Sequence, residues 1–166
     1  MKPGDVILYK GVDNLLQRCI KKVTKSEFVH CGVVISVVGD NVWTAEAYYN
    51  GFVKRFYYKG ELQAMINLGN IVMKRPKVPI KDMISHVEKY LGIEYGFFQL
   101  IVILIKRYTG VTIHKNGLKK LICSEAVSRV LYDASGKKLD FQKEFEKGYD
   151  LITPADIGFS EQLRKI

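Results

Sequence analysis

The feature that most constrains the fold is the stretch 29–38, VHCGVVISVV, in which β-branched residues dominate and a Gly39-Asp40 pair follows at once. Val and Ile lose side-chain freedom in a helix but pack well on a pleated surface, so this run reads as a strand that ends in a turn. A second strand returns over 41–47, and Asn50-Gly51, a strong hairpin signal, leads into a third over 52–57. Val6-Ile7-Leu8-Tyr9 adds a short strand behind Pro3-Gly4, and 71–74 adds another. The pattern predicts an antiparallel meander.

After Pro76 the period changes. Met83, Ile84, Val87, Tyr90 and Leu91 recur at helical spacing, with Gly92 placed to close the helix. Residues 13–24 carry Leu15, Leu16, Cys19, Ile20 and Val23 at the same spacing, and residues 121–133 carry Cys123, Ala126, Val127, Val130 and Leu131. The segment 95–108 reads as a further helix, the stretch around 114–120 as a polar loop, 137–147 as a surface segment and 152–156 as the opening of a final turn or short helix. Strands first and helices later predict an α+β fold, an antiparallel meander sheet packed against helices, with the 121–133 helix C-terminal to the sheet. A length of 166 residues with 48% apolar content fits a single domain, 1–166.

Composition narrows the function classes. The longest apolar run, 97–105, is broken by Gln99 and stops at Lys106 and Arg107. It falls short of the roughly 20 residues that cross a bilayer and reads as a buried or partly lipid-facing helix. The opening Met1-Lys2-Pro3-Gly4-Asp5 has neither the basic nor the apolar region of a secretory signal, so a cytoplasmic location is the expectation. A net charge of +9 and a pI near 9.4 favour an anionic partner such as a cell-wall or membrane surface. The basic residues are scattered and accompany no nucleic-acid motif, so no nucleic-acid partner is expected. Cys19, Cys31 and Cys123 are far apart and none sits in a zinc spacing, so neither a disulfide framework nor a structural metal is expected. Nothing in the sequence specifies an oligomeric state.

Cys123 lies in the first turn of its helix, on the face that carries the other apolar residues. Unpaired backbone N–H groups and the positive end of the helix dipole there favour thiolate over thiol, although a free cysteine at such a position also simply packs. A thiolate nucleophile needs a base. His86 lies mid-helix and His114 in a Lys-rich loop, whereas His30 opens the 29–38 strand just before Cys31-Gly32, where the glycine permits close approach. Glu46 interrupts an apolar strand end, Trp43-Thr44-Ala45-Glu46-Ala47, and is the candidate to orient the imidazole. Strand parity tests this choice. A plain two-residue turn at Gly39-Asp40 sends His30 and Glu46 to opposite faces. A three- or five-residue loop, or a bulge, puts His30, Gly32, Val34 and Ser36 on one polar face with Val42, Thr44 and Glu46. If that fails, Thr44 or a backbone carbonyl must orient the ring.

In these segments the sequence resembles the circularly permuted members of the NlpC-type branch of the papain-like superfamily, which include YiiX-like proteins and lecithin:retinol acyltransferase-like enzymes. Gly4-Asp5-Val6-Ile7-Leu8 is similar to that group's first strand, Val29-His30-Cys31-Gly32-Val33-Val34-Ile35 to its histidine strand, and Ile122-Cys123-Ser124-Glu125-Ala126-Val127 to its cysteine helix moved to the end. Cys31 departs from the pattern, standing where relatives commonly carry a β-branched residue, and the loop before Cys123 is unusually basic. The resemblance implies a Cys123–His30–Glu46 triad, with Tyr95 near the cysteine as a substrate-binding residue and no metal or organic cofactor. It implies acyl transfer through a thioester, with an amide in a cell-wall stem peptide or an isopeptide bond as first choice of substrate. Two other functions fit the same residues: a lipid-directed thiol acyltransferase or phospholipase, and a catalytically silent binding module.

Overall fold

The computed structural model describes residues 1–11, 15–96 and 120–166. The chain opens with strand β1 (Val6–Lys10), passes through helix α1 (Leu15–Thr24), and then lays down β2 (Phe28–Val38), β3 (Asn41–Tyr48) and β4 (Gly51–Tyr58). Helix α2 (Lys59–Asn67) leads to β5 (Ile71–Pro76), helix α3 (Met83–Glu88) and the short strands β6 (Glu94–Tyr95) and β7 (Lys120–Leu121). Helix α4 (Cys123–Ala134), helix α5 (Phe141–Phe145), a 3-10 turn (Tyr149–Leu151), helix α6 (Pro154–Phe159) and strand β8 (Leu163–Lys165) complete it.

Six strands form an antiparallel sheet in the order β4-β3-β2-β1-β5-β8, while β6 and β7 pair in parallel apart from it. The meander expected from sequence is its first four strands. Alternation along the strands sorts the sheet into two faces. Val6, Leu8, Cys31, Val33, Ala45, Ala47 and Phe52 turn toward α4 and pack on Ala126, Val127, Val130 and Leu131. Ile7, Val34, Val42, Ile71 and Met73 turn the other way and are covered by Leu62 of α2. Each of these large side chains contributes about 1.5–3 kcal/mol when fully buried, so the sheet is held from both sides.

Several sequence expectations are corrected. Helix α2 was not foreseen, because Leu62 is its one fully buried residue and its apolar periodicity is weak. The β3–β4 hairpin turns on Tyr49-Asn50, since Tyr48 pairs with Gly51, and Gly51 opens β4 with φ +106°, which glycine adopts without strain. Helix α3 stops at Glu88 and leaves Tyr90 and Leu91 in the following turn. The 137–147 segment is no mere surface stretch, because Leu139 and Phe141 are fully buried. Cys19 is exposed rather than packed on the apolar stripe of α1. The apolar run 97–105, the polar loop with His114, and most of the basic stretch before Cys123 lie outside the described residues. Among the described residues no helix is long and apolar enough to cross a membrane.

Candidate active site

The turn between β2 and β3 is the two-residue one, Gly39-Asp40, with Val38 paired to Asn41. By itself that turn sends His30 and Glu46 to opposite faces. A bulge at Ile35 reverses the parity: Val37 pairs with Val42 and Ser36 with Trp43, but Val34 pairs with Thr44 and Gly32 with Glu46. His30 and Glu46 therefore share a face. The same bulge moves Ser36 to the side of Trp43, off the face expected for it.

Glu46 is fully buried and its side chain crosses over Gly32, where a Cβ would meet the Glu46 Cγ at 2.5 Å. That is the close approach the glycine permits. His30 Nε2 lies 3.1 Å from Glu46 Oε2, which also accepts from Tyr48 Oη at 2.9 Å. Glu46 Oε1 accepts from Thr44 Oγ1 at 2.7 Å and from Tyr9 Oη at 3.1 Å, and Tyr57 Oη lies 3.3 Å behind Tyr9. Burial opposes the carboxylate, but the hydrogen bonds from His30, Thr44 and Tyr48 and the charge of His30 outweigh it and lower its pKa. An ionised Glu46 only accepts, so the His30 nitrogen facing it carries the proton and the other is left for the sulfur. The imidazole is also held between two phenol rings, Tyr9 at 5.2 Å and Tyr48 at 4.9 Å between centroids.

Pairing between β2 and β3 ends at Gly32–Glu46, although β2 reaches back to Phe28 and β3 runs on to Tyr48. The strands part there. The mouth of α4 meets this opening from the helix side: Cys123 is the first residue of α4, and no side chain caps the helix N-terminus. Cys31 and His30 both lie close enough to Cys123 to act on its sulfur electrostatically. The thiol pKa is driven well below its ordinary value, chiefly by the Cys31 hydrogen bond, with burial opposing and the His30 charge assisting. Burial alone would depress His30, but the Cys123 thiolate and Glu46 raise it to about 9. Burial, with the Cys123 hydrogen bond and charge, holds Cys31 well above the usual thiol value. Charge and hydrogen bonding thus favour a thiolate on Cys123 beside an imidazolium on His30 and a protonated Cys31.

Tyr95 pairs with Leu121 across β6 and β7, and burial, with the negative charge favoured on Cys123, raises its phenol above the ordinary value. The four residues singled out from sequence, Cys123, His30, Glu46 and Tyr95, are thus brought to one place, with Cys123 5% exposed and the His30 side chain 18%. Thr44 joins Glu46 rather than replacing it. Tyr9, Tyr48 and the proximity of Cys31 to Cys123 were missed. Tyr48 was findable, since it follows Glu46 by two in a strand and must share its face; Tyr9 required the β1–β2 register, which pairs it with His30.

This is a YiiX-like α+β fold. The crystal structure described as the metalloprotein yiiX from Escherichia coli O157:H7 matches with a TM-score of 0.65 over 99% of this chain and 96% of that one, at 18% sequence identity. No protein-family model and no curated protein matches the sequence.

Proposed function

We propose that this chain is a thiol-dependent hydrolase of the permuted papain-like kind that cleaves an amide bond through an acyl-thioester. The observation that carries the reading is the two-sided engagement of His30, with Glu46 on one nitrogen and the Cys123 thiolate as its other partner. Cys123 attacks the carbonyl carbon, and the oxyanion is met by the Cys123 backbone N–H at the uncapped helix mouth. His30 hands its proton to the departing amine, then takes one from the water that releases the acyl group. Glu46 stays ionised throughout, fixing the ring and stabilising its cationic form. Favoured substrates are a cell-wall stem peptide or an isopeptide, drawn to the protein by its net charge of +9.

The structural neighbour is described as a metalloprotein. Among the described residues no group of three or more His, Cys, Asp or Glu side chains is placed to hold a metal ion. No step of the proposed mechanism is routed through a metal.

Incubation with peptidoglycan fragments and, in parallel, with acyl lipids tests the proposal. New amine termini released by the native chain but not by Cys123→Ala support it. Fatty-acid release alone moves the assignment to a lipid-directed enzyme, and no release together with equal alkylation of Cys19, Cys31 and Cys123 marks a binding module.

A further inference from the structure

The reaction as proposed uses one cysteine, yet a second is built into the same site. Cys31 lies one residue from the base, faces α4 because strand alternation sends it there, and belongs to the same buried cluster as Cys123. Its thiol is fully buried and free, and it packs in the cluster that holds Cys123, close enough to bear on that sulfur electrostatically. Packing alone asks only for a small apolar side chain here; a thiol beside a thiolate adds redox chemistry that Val or Ala lacks.

We propose that Cys31 is the resolving thiol of an oxidation site, capturing peroxide-oxidised Cys123 as an intramolecular Cys31–Cys123 disulfide. In the first step the Cys123 thiolate attacks one oxygen of hydrogen peroxide or an alkyl hydroperoxide. The S–O bond forms, the O–O bond breaks, and the departing hydroxide or alkoxide takes the proton from the His30 imidazolium. Cys123 is now a neutral sulfenic acid and His30 a neutral imidazole.

In the second step the Cys31 sulfur attacks the Cys123 sulfur. An S–S bond forms as the S–O bond breaks, and the Cys31 proton passes by way of His30 to the leaving hydroxide, which departs as water. Two thiols are oxidised by two electrons, and one peroxide is reduced to two waters or to water and an alcohol. Before oxidation, burial and the adjacent thiolate hold the proton on Cys31. Conversion of Cys123 to a neutral acid removes that charge, so Cys31 becomes competent when it is needed. Cys31 faces α4 from β2 and Cys123 opens α4 within the same buried cluster, so a disulfide between them would join two elements that already pack together. Cys123 keeps 5% exposure while Cys31 has none, which makes Cys123 the one that meets peroxide and shields Cys31 from direct attack.

This inference rests on Cys123 being a thiolate and not on turnover of any substrate. Its test uses the full-length Cys19→Ser protein, so that the exposed third thiol cannot pair between molecules. Hydrogen peroxide is added, followed by mass mapping of unreduced peptides, and the rate of iodoacetamide labelling near pH 6 is measured on a separate sample. The expected result is a Cys31–Cys123 cross-link with loss of both titratable thiols, fully reversed by dithiothreitol. In Cys31→Ser, Cys123 should instead advance to sulfinic and sulfonic acids that dithiothreitol does not reverse. Rapid iodoacetamide labelling of Cys123, together with peroxide products in which Cys123 is a sulfinic acid and Cys31 remains a free thiol, overturns the inference and leaves the proposed function standing. Failure of Cys123 to label near pH 6 overturns both. If Cys31→Ser does not fold, the peptide map of the parent protein decides alone.

Discussion

Asp5 and Glu46 are both fully buried carboxylates of the six-stranded sheet, one just ahead of β1 and the other near the end of β3, and their partners differ in kind. Asp5 meets a permanent cation: Arg75 Nε and Nη2 donate to its two oxygens at 2.7 and 2.8 Å, and the Lys2 backbone N–H adds a third bond at 2.8 Å. Glu46 meets a titratable cation, His30, and neutral hydroxyls from Thr44, Tyr9 and Tyr48. The guanidinium fork satisfies its carboxylate once and for all, clamping β1 to β5. An imidazole beside Glu46 can give up its proton, so the carboxylate's charge remains available to bias a reaction. On the proposed function, the Gly4-Asp5 pair that marks the first strand is scaffold, and Glu46 is machinery.

The comparison sharpens most in Glu46→Gln. Loss of the charge that supports imidazolium should lower kcat/KM for the proposed amide substrate on the order of 10² to 10³-fold. Unfolding free energy should change by about 1 kcal/mol or less, because the hydroxyls can reorient to an amide. Unaltered turnover would make Glu46 a second Asp5. Asp5→Asn should do the converse: it strips a partly buried guanidinium of its partner and should cost about 2–3 kcal/mol in urea unfolding, below the full value for a buried pair because Arg75 keeps solvent contact. The folded fraction should retain Cys123 labelling. Tyr48→Phe keeps the ring against His30 and deletes one hydroxyl from Glu46, for an expected drop of about tenfold in kcat/KM.

The smallest effect concerns stability against pH. His30, raised from 6.5 to about 9, contributes stability that is complete below 6.5 and lost as pH climbs through about 9. Cys123, lowered from 9.0, contributes in the opposite sense, gaining as pH rises toward 9.0. Thiolate–imidazolium and thiol–imidazole hold the same number of protons, so between 6.5 and 9 the two effects oppose each other. Urea midpoints should be nearly flat across that window. Glu46, lowered from 4.5, contributes stability that is present above 4.5 and lost as pH falls through its folded value, so the midpoint should drop on the acid side.

Much of the site was legible because period and spacing carry it. The β-branched 29–38 run placed His30 at a strand mouth, helical spacing put Cys123 in the first turn of α4, and parity showed that Glu46 needs a bulge with a two-residue turn. Where the bulge falls was not legible. Ile35 is one β-branched residue among several, and its doubling up with Val33 on the α4 side is decided by packing. Tyr9 stayed hidden because its partnership with Glu46 spans 37 residues and two strand registers. The proximity of Cys31 to Cys123 was equally out of reach, since it depends on where α4 docks against the face of β2. Helix α2 and strand β8 escaped notice because short elements with few buried residues leave little periodic signal.

The account depends on His30 and Cys123 forming a charged pair at rest. Nuclear magnetic resonance titration of the His30 ring in the native chain and in Cys123→Ala measures this directly. The account predicts an imidazolium that persists to about pH 9 in the native chain and a distinctly lower midpoint once the sulfur is gone. A His30 midpoint near 6.5 that is the same in both proteins would contradict it.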